Sequence, residues 1–293
     1  MTHQVPIDSG GDHDAGREGG GIHEVLDDLA FQRLAIVNVV YWGVPGSKQW
    51  VLIDAGVPGT ASMVRHAVEE RFGRDARPQA IVMTHGHFDH VGALEELAEE
   101  WDVPVFAHEL ELPYLDGRAS YPPPDPSVGG GLMSALSRFY PRGPVDVSSR
   151  LLMLPSDGTI PHMPDWHWVH TPGHTPGHVS LWRERDRTLI AGDAFITTKQ
   201  ESAYAVATQK LELHGPPTYY TQDWDAARDS VERLSMLEPE VTITGHGRAL
   251  RGEALRDGLA MLAREFQRVA VPEHGTYVDD PATASDRSAY REP

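Results

Sequence analysis

Apolar and polar positions alternate along this chain in short blocks, most of them four to ten residues long. Two apolar runs, RLAIVNVVYW (33–42) and QWVLIDAG (49–56), flank the turn-forming segment VPGSK and predict a β-hairpin. Gly56 to Gly59 turn the chain, and Thr60 is placed to cap a helix running to about Phe72. QAIVMT (79–84) has the continuous apolarity of a buried strand. GALEELAEEW (92–101) has apolar residues at helical spacing, and VPVFAH (103–108) predicts the next strand. Between Glu109 and Pro144 the pattern dissolves into Pro, Gly and Tyr, which predicts a long loop with one short helix near Leu132–Phe139. Strands resume at RLLMLP, WHWVHT, HVSLWRE and TLIAGD. A helix follows over about Trp224–Leu237, then a strand in EVTITGHG and an amphipathic helix over Glu253–Val269. This mixture predicts an α/β fold. It reads as a polar, mobile leader (1–22), one domain (23–271) and a polar tail (272–293) whose end frays.

One strand delivers the chain directly into THGHFDH (84–90), three histidines and an aspartate between a strand end and a helix start. Side chains alternate along extended chain, so His85, His87 and Asp89 can share a side, while the turn into the helix swings His90 round. Two groups of ligands aimed at two nearby points fit this better than four ligands on one ion, and further donors must come from elsewhere. HTPGHTPGH offers His174 in a tight turn, AGDAF offers Asp193 past a strand end, and TGHG offers His246 past another. A strand end followed by a glycine turn fixes a ligand firmly. Each of these three alone would read as an ordinary hydrogen-bonded residue; together with the first motif they read as a set. His108, His162, His167, His170, His178 and His214 read as structural, hydrogen-bonded histidines.

Composition narrows the chemistry. The 293 residues contain no cysteine, so any metal is held by nitrogen and oxygen donors alone, a set that zinc, iron or manganese can occupy. Hydrophobic residues make up 40%, enough for a sizeable core, and no apolar run approaches the length of a membrane span. The formal charge of −18, with Lys48, Lys199 and Lys210 the only lysines, argues against nucleic acid and anionic lipid as partners. The N-terminal segment has neither the basic start nor the apolar core of a secretory signal, which sets a cytoplasmic location as the expectation. A homo-oligomer is compatible with this composition.

In their order, THGHFDH, TPGHTPGH, AGDAF and TGHG, preceded by the VLIDAG strand, resemble the metallo-β-lactamase superfamily over about Ile36–Leu262. The resemblance implies a four-layer αβ/βα sandwich of two mixed β-sheets flanked by helices. It also implies two zinc ions: His85, His87 and His174 on one, Asp89, His90 and His246 on the other, with Asp193 bridging both. Asp54 in VLIDAG matches a residue that sits behind the ligands and accepts a proton from one of their imidazoles.

The implied reaction is hydrolysis of an ester, thioester or lactone of a small molecule by a metal-bridging hydroxide, with Asp89 orienting it or passing a proton to the leaving group. The bridging Asp193 disfavours true β-lactamases, His87 departs from the flavodiiron pattern, and Ile196 stands where many lactonases carry Tyr. The ligand set is closest to glyoxalase II-like thioesterases and lactone hydrolases. Alternatives are a mononuclear iron oxidoreductase acting on persulfides and a phosphodiesterase or nuclease of the same fold. Tyr204, His214, Tyr219 and Tyr220 are candidate substrate-pocket residues, with Tyr114, Tyr121 and Phe139 of the long loop as further wall candidates.

Overall fold

The computed structural model describes residues 21–208 and 210–293. The 1–22 leader therefore lies outside the described residues except for Gly21 and Ile22, and Ile22 already begins a strand. Contacts divide the chain into two compact units, an N-terminal one of residues 21–121 and 142–164 and a C-terminal one of residues 122–141 and 165–291.

Among the described residues of the N-terminal unit, seven strands form one mixed sheet in sequence order: β1 (Ile22–Leu26), β2 (Leu29–Leu34), β3 (Val37–Trp42), β4 (Val51–Ile53), β5 (Ile81–Val82), β6 (Val105–Ala107) and β7 (Leu151–Met153). β1 to β4 pair antiparallel, and β4 to β7 pair parallel. The run RLAIVNVVYW, expected as one strand, is two: Ala35 adopts a left-handed φ of 58° and turns β2 back on β3. Both strands are buried along almost their whole length, so apolarity runs through the turn and hides it from the pattern. Helices α1 (Ala61–Phe72), α2 (Phe88–Val91), α3 (Leu94–Trp101) and α4 (Leu112–Leu115) connect the parallel strands. Val64, Val68, Leu94, Leu97 and Trp101 from α1 and α3 pack with Leu52, Ile81 and Val105 of the sheet in one buried cluster. Thr60 precedes α1 as expected, but its hydroxyl donates back to Val57 O at 2.7 Å and does not cap the helix.

The C-terminal unit opens with α5 (Leu132–Leu136) and a 3-10 turn over Ser137–Phe139. Its described strands β8 (Trp166–His170), β9 (Val179–Arg183), β10 (Thr188–Gly192), β11 (Val241–Thr244) and β12 (Leu250–Arg251) form a second mixed sheet, ordered β12-β11-β10-β9-β8 with one parallel pair, β10 and β11. Between β10 and β11 lie α6 (Ala203–Thr208) and α7 (Trp224–Met236); α8 (Gly252–Arg264), α9 (Phe266–Val269) and α10 (Thr276–Asp279) follow β12. The helix expected over 253–269 is broken at Glu265, whose φ of −108° and ψ of 15° separate α8 from α9. Asp223 caps α7, accepting Ala226 N–H at 3.0 Å. Val231 and Leu234 of α7, Leu255, Leu259 and Leu262 of α8 and Leu189 of β10 form the core of this unit. The tail is docked through Ala289. Thr276 N–H donates to Asp125 Oδ2 at 2.6 Å, Ala282 N–H donates to Gln222 O at 2.9 Å, and Ala289 is fully buried, with 291–293 exposed. Each sheet thus carries helices packed on it through its own apolar cluster.

Candidate metal centre

β5 ends three residues before His85, and the backbone is extended at His87 (φ −66°, ψ 151°) before α2 begins at Phe88. The alternation expected from sequence therefore holds for His85 and His87, whereas Asp89 and His90 both ride on the first turn of α2. All four side chains are buried, His85 and His90 completely. His85 Nε2 and His87 Nδ1 stand 3.0 Å apart, and the His85 and His90 ring centroids lie 4.1 Å apart.

The hydrogen bonds behind these rings settle their tautomers. Asp54 follows β4 in a left-handed conformation, φ 61°, which aspartate tolerates better than most residues because its short carboxylate bonds locally. Its Oδ1 accepts Thr84 N–H, and its Oδ2 accepts both the Thr84 hydroxyl and His90 Nδ1–H, all at 2.8 Å. The one hydroxyl proton of Thr84 is then committed to Asp54, so Thr84 Oγ1 accepts from His85 Nδ1–H at 3.1 Å. Both histidines carry their proton on Nδ1, which makes Nε2 the basic, ligand-type nitrogen. Asp54 is where the resemblance places a residue behind the ligands, and it contacts His90 directly.

A second device holds the stretch from the other side. Gly86 N–H donates to Glu111 Oε2 and to Tyr121 Oη, both at 2.9 Å, and the Tyr121 hydroxyl donates to Glu111 Oε2. The Tyr121 ring lies 4.4 Å from the His87 ring and stacks on Tyr114 at 3.7 Å. Burial, and then the neighbouring Glu111 charge, push the Tyr121 phenol well above its ordinary range, so it stays a protonated donor. Tyr114 and Tyr121, two wall candidates of the long loop, are packed inside the unit. Nothing in the sequence pointed to Glu111, which lies 25 residues from Gly86 in the loop. Thr84 had a signal, a short hydroxyl side chain at the strand end immediately before the first histidine.

In the C-terminal unit His174, Asp193 and His246 meet. Asp193 Oδ2 stands 3.4 Å from His174 Nε2 and 3.0 Å from His246 Nε2, and all three residues are buried. The Thr221 hydroxyl donates to Pro217 O at 2.8 Å, leaving its oxygen to accept from His174 Nδ1–H at 3.3 Å. His174 is thereby set with Nε2 towards Asp193. His178, expected to be structural, is so: its Nε2 accepts Asp193 N–H at 2.9 Å, and its Nδ1–H donates to Thr171 Oγ1 at 2.8 Å. That relay runs on through Ser180 to the carbonyl of Ala191, tying the end of β10 to β9 just where Asp193 leaves it.

The turn bearing His174 is held by close approach. Gly173 has φ 129°, and its carbonyl accepts Gln222 and Asp223 N–H at 2.9 Å, while a Cβ on Gly173 would stand 2.3 Å from Ala227 N. Gly173→Ala is expected to cost about 2 to 3 kcal/mol through strain and forced separation from α7. A shift in the urea or guanidinium midpoint measures it; an unchanged midpoint would show that the turn is not pinned this way.

These donor sets suit divalent ions. Two ligands about 2.1 Å from one ion at a tetrahedral angle stand about 3.4 Å apart. The observed separations of 3.0, 3.4 and 3.0 Å within the two units approach that value with no rotation of the side chains.

A family model, the metallo-β-lactamase superfamily, matches residues 33–246. The chain belongs to this superfamily. Its two mixed sheets with flanking helices and its imidazole and carboxylate donors make it a metal-dependent enzyme of that family. Over 254 residues it is 46% identical to the probable metallo-hydrolase YflN of Bacillus subtilis (strain 168), covering 86% of this chain and 96% of that one. A hydroxyacylglutathione hydrolase, GloC of Haemophilus influenzae (strain ATCC 51907 / DSM 11121 / KW20 / Rd), is 27% identical over 146 residues, 50% of this chain and 61% of the relative. A β-lactamase domain protein from Burkholderia ambifaria shares the fold at a TM-score of 0.59 and 19% identity, with 86% of this chain and 74% of that chain covered.

The four candidate pocket residues are not equivalent. Tyr219 and Tyr220 are buried with ring centroids 5.1 Å apart. His214 pairs with Glu212 at 3.4 Å, and burial pushes it below the ordinary imidazole range. Tyr204 on α6 is 73% exposed and lines a cleft of about 690 Å³. Phe139 is exposed. Among the described residues no helix is long and apolar enough to cross a membrane.

Proposed function

We propose that this enzyme is a dinuclear zinc hydrolase acting on an ester, thioester or lactone carbonyl of a small molecule. In this reading His85, His87 and His174 hold one ion and Asp89, His90 and His246 the other. Asp193 serves both. The observation that carries the reading is Asp193 itself, a buried carboxylate held within 3.4 Å of one histidine and 3.0 Å of another. Two imidazoles and one carboxylate could by themselves hold a single ion, but a single-ion enzyme could dispense with Asp89, His90 and His246, and this chain keeps all three. Seven protein donors shared by two ions leave coordination positions open, as catalysis requires and structural sites avoid.

Bound divalent ions would supply a nucleophilic hydroxide near neutral pH and polarise the carbonyl. The chain's own contribution is positional. Asp54 and Thr84 keep the ligand nitrogens of His85 and His90 deprotonated, Thr221 does the same for His174, and His178 fixes the backbone of Asp193. Asp89 is the group we assign to proton delivery to the leaving group. The likeness to a hydroxyacylglutathione hydrolase supports a thioester among the three carbonyl classes. A cytoplasmic location and the absence of a nucleic-acid partner complete the proposal, the latter supported by the charge of −18.

Metal analysis combined with a panel of thioesters, lactones, aryl esters and phosphoesters tests it. Two zinc ions per chain and turnover of a carbonyl substrate are expected. One iron per chain with no hydrolysis would replace this reading by a persulfide oxidoreductase, and turnover confined to phosphoesters by a phosphodiesterase.

A further inference from the structure

The cleft beside Tyr204 is built entirely within the C-terminal unit, from two segments bolted together at Glu201. Glu201 O accepts Met133 N–H at 3.3 Å, and the Glu201 carboxylate accepts the N–H and hydroxyl of Thr218, each at 2.8 Å. Only a glycine fits at 131, because a Cβ there would stand 1.8 Å from Glu201 O. One wall therefore begins at Gly131 and Leu132, and the other runs from Lys199 through Tyr204.

Two physical properties of these walls are unusual for this chain. Of its three lysines, two, Lys199 and Lys210, line this one cleft of a protein carrying −18. Lys210 is neutralised by Glu212. The Glu201 carboxylate accepts both Thr218 bonds and acts electrostatically on His214, as Lys199 does, and among the described residues Lys199 makes no ion pair within 4 Å. Beside this cation the cleft is mixed in character, with Ser202 and the Lys210–Glu212 pair next to Leu132, Ala203 and Ala205. Leu132 lines it, Leu136 follows one helical turn on at the same face of α5, and Phe139 ends the 3-10 turn that comes next, three residues after Leu136. These three are 60%, 41% and 69% exposed, three large apolar side chains open to solvent within eight residues, with the Arg138 guanidinium 4.8 Å from the Phe139 ring centroid.

The same wall leads back to the metal ligands. Lys199 lies six residues beyond Asp193, a span of at most about 22 Å. On the way, Thr197 N–H donates to the carbonyl of His246 at 3.1 Å, and its hydroxyl donates to Arg248 O at 2.7 Å. The strip of chain that ends in the cleft is thus clamped to the loop that carries His246.

We propose that this cleft binds the non-reacting part of the substrate, and that this part is an amphipathic anion. Its anionic head sits at Lys199, and its apolar chain lies along Leu132, Leu136 and Phe139. Assigning the occupant as substrate rests on the hydrolase reading; binding of such an anion does not. A short-range cation in an anionic protein selects for charge, and the three apolar side chains select for chain length, so the substrate class narrows to acyl compounds bearing both.

Calorimetric titration of the metal-loaded protein with octyl sulfate, octanol and ethyl sulfate, each below any micellar concentration, separates the two requirements. Octyl sulfate is expected to bind about tenfold or more tighter than either the neutral chain or the short anion. Lys199→Gln is expected to remove about fivefold of that advantage and its salt dependence. Phe139→Ser is expected to weaken octyl sulfate while leaving ethyl sulfate unchanged. Phe139 is exposed and Lys199 half-buried, and circular dichroism checks that both variants are folded.

Equal binding of octyl sulfate and octanol, or octyl sulfate binding that is indifferent to Lys199→Gln, would overturn the proposal. Because the readout is binding, failure of the substrate panel alone would remove the hydrolase reading and leave the cleft assignment standing.

Discussion

Asp193→Asn is expected to reduce the bound metal from two ions per chain to one or fewer, and to lower hydrolysis by about 10³-fold or more. The asparagine keeps the shape of the side chain and its backbone N–H bond to His178, so the end of β10 should stay where it is. What it removes is the charge between His174 and His246. An amide oxygen is a poor bridge between two cations, and its NH₂ group would point a donor at one of the ligand nitrogens.

Stability without metal separates a ligand role from a structural one. A buried carboxylate retained to bind ions is a burden on the empty protein, so Asp193→Asn should unfold at the same denaturant concentration as the parent after chelation, or a higher one. Loss of stability in the chelated state would mean that Asp193 holds the fold instead. Two ions bound and full turnover in the variant would sink the bridging role altogether. Elemental analysis, initial rates and a chelated denaturation curve together decide between these outcomes.

The candidate donors were legible in the sequence because they occupy positions where structure leaves the strongest marks. Each of His85, Asp193 and His246 lies within two or three residues of the end of a buried strand, and such strands are recognisable by continuous apolarity. Glycine and proline mark the turn at His174 for the same reason. The hairpin at Ala35 was invisible because β2 and β3 are both buried, and a non-glycine residue makes the turn. β1 was hidden by the opposite cause: an edge strand, IHEVL, buries little, so no alternation betrays it.

The contacts that orient the ligands were the least readable. Glu111, Thr221 and Tyr121 reach their partners across 25, 47 and 35 residues through ordinary polar side chains, and no local pattern distinguishes such a residue from a solvated one. The cleft escaped for a related reason. Its walls, at 129–132 and at 199, 202–205, 210 and 212, fall where periodicity gives out, and packing at Glu201 joins them.

Asp54 offers the sharpest dissection of that hidden layer, because two substitutions there should fail in different ways. Asp54→Ala deletes the acceptor for Thr84 N–H, the Thr84 hydroxyl and His90 Nδ1–H in a nearly closed environment. It also leaves a left-handed φ of 61° without the carboxylate that eases it. A loss of about 3 kcal/mol or more is expected, together with metal affinity.

Asp54→Asn should behave otherwise. Its amide oxygen can keep the Thr84 N–H bond, and asparagine tolerates the left-handed backbone, so most of the stability returns. Its NH₂ group, however, now faces His90 Nδ1, which must become an acceptor, and the imidazole proton moves to Nε2, the nitrogen needed for a metal. Metal affinity should therefore fall about 10- to 100-fold in a protein that is nearly as stable as the parent. Competition against a chelating dye gives the affinity, and guanidinium unfolding of the metal-free protein gives the stability. If Asp54→Asn bound metal like the parent, the tautomer argument would fail and Asp54 would be a structural residue. If it lost stability and affinity in step with Asp54→Ala, the carboxylate's charge, not its control of the proton on His90, would be what the site requires.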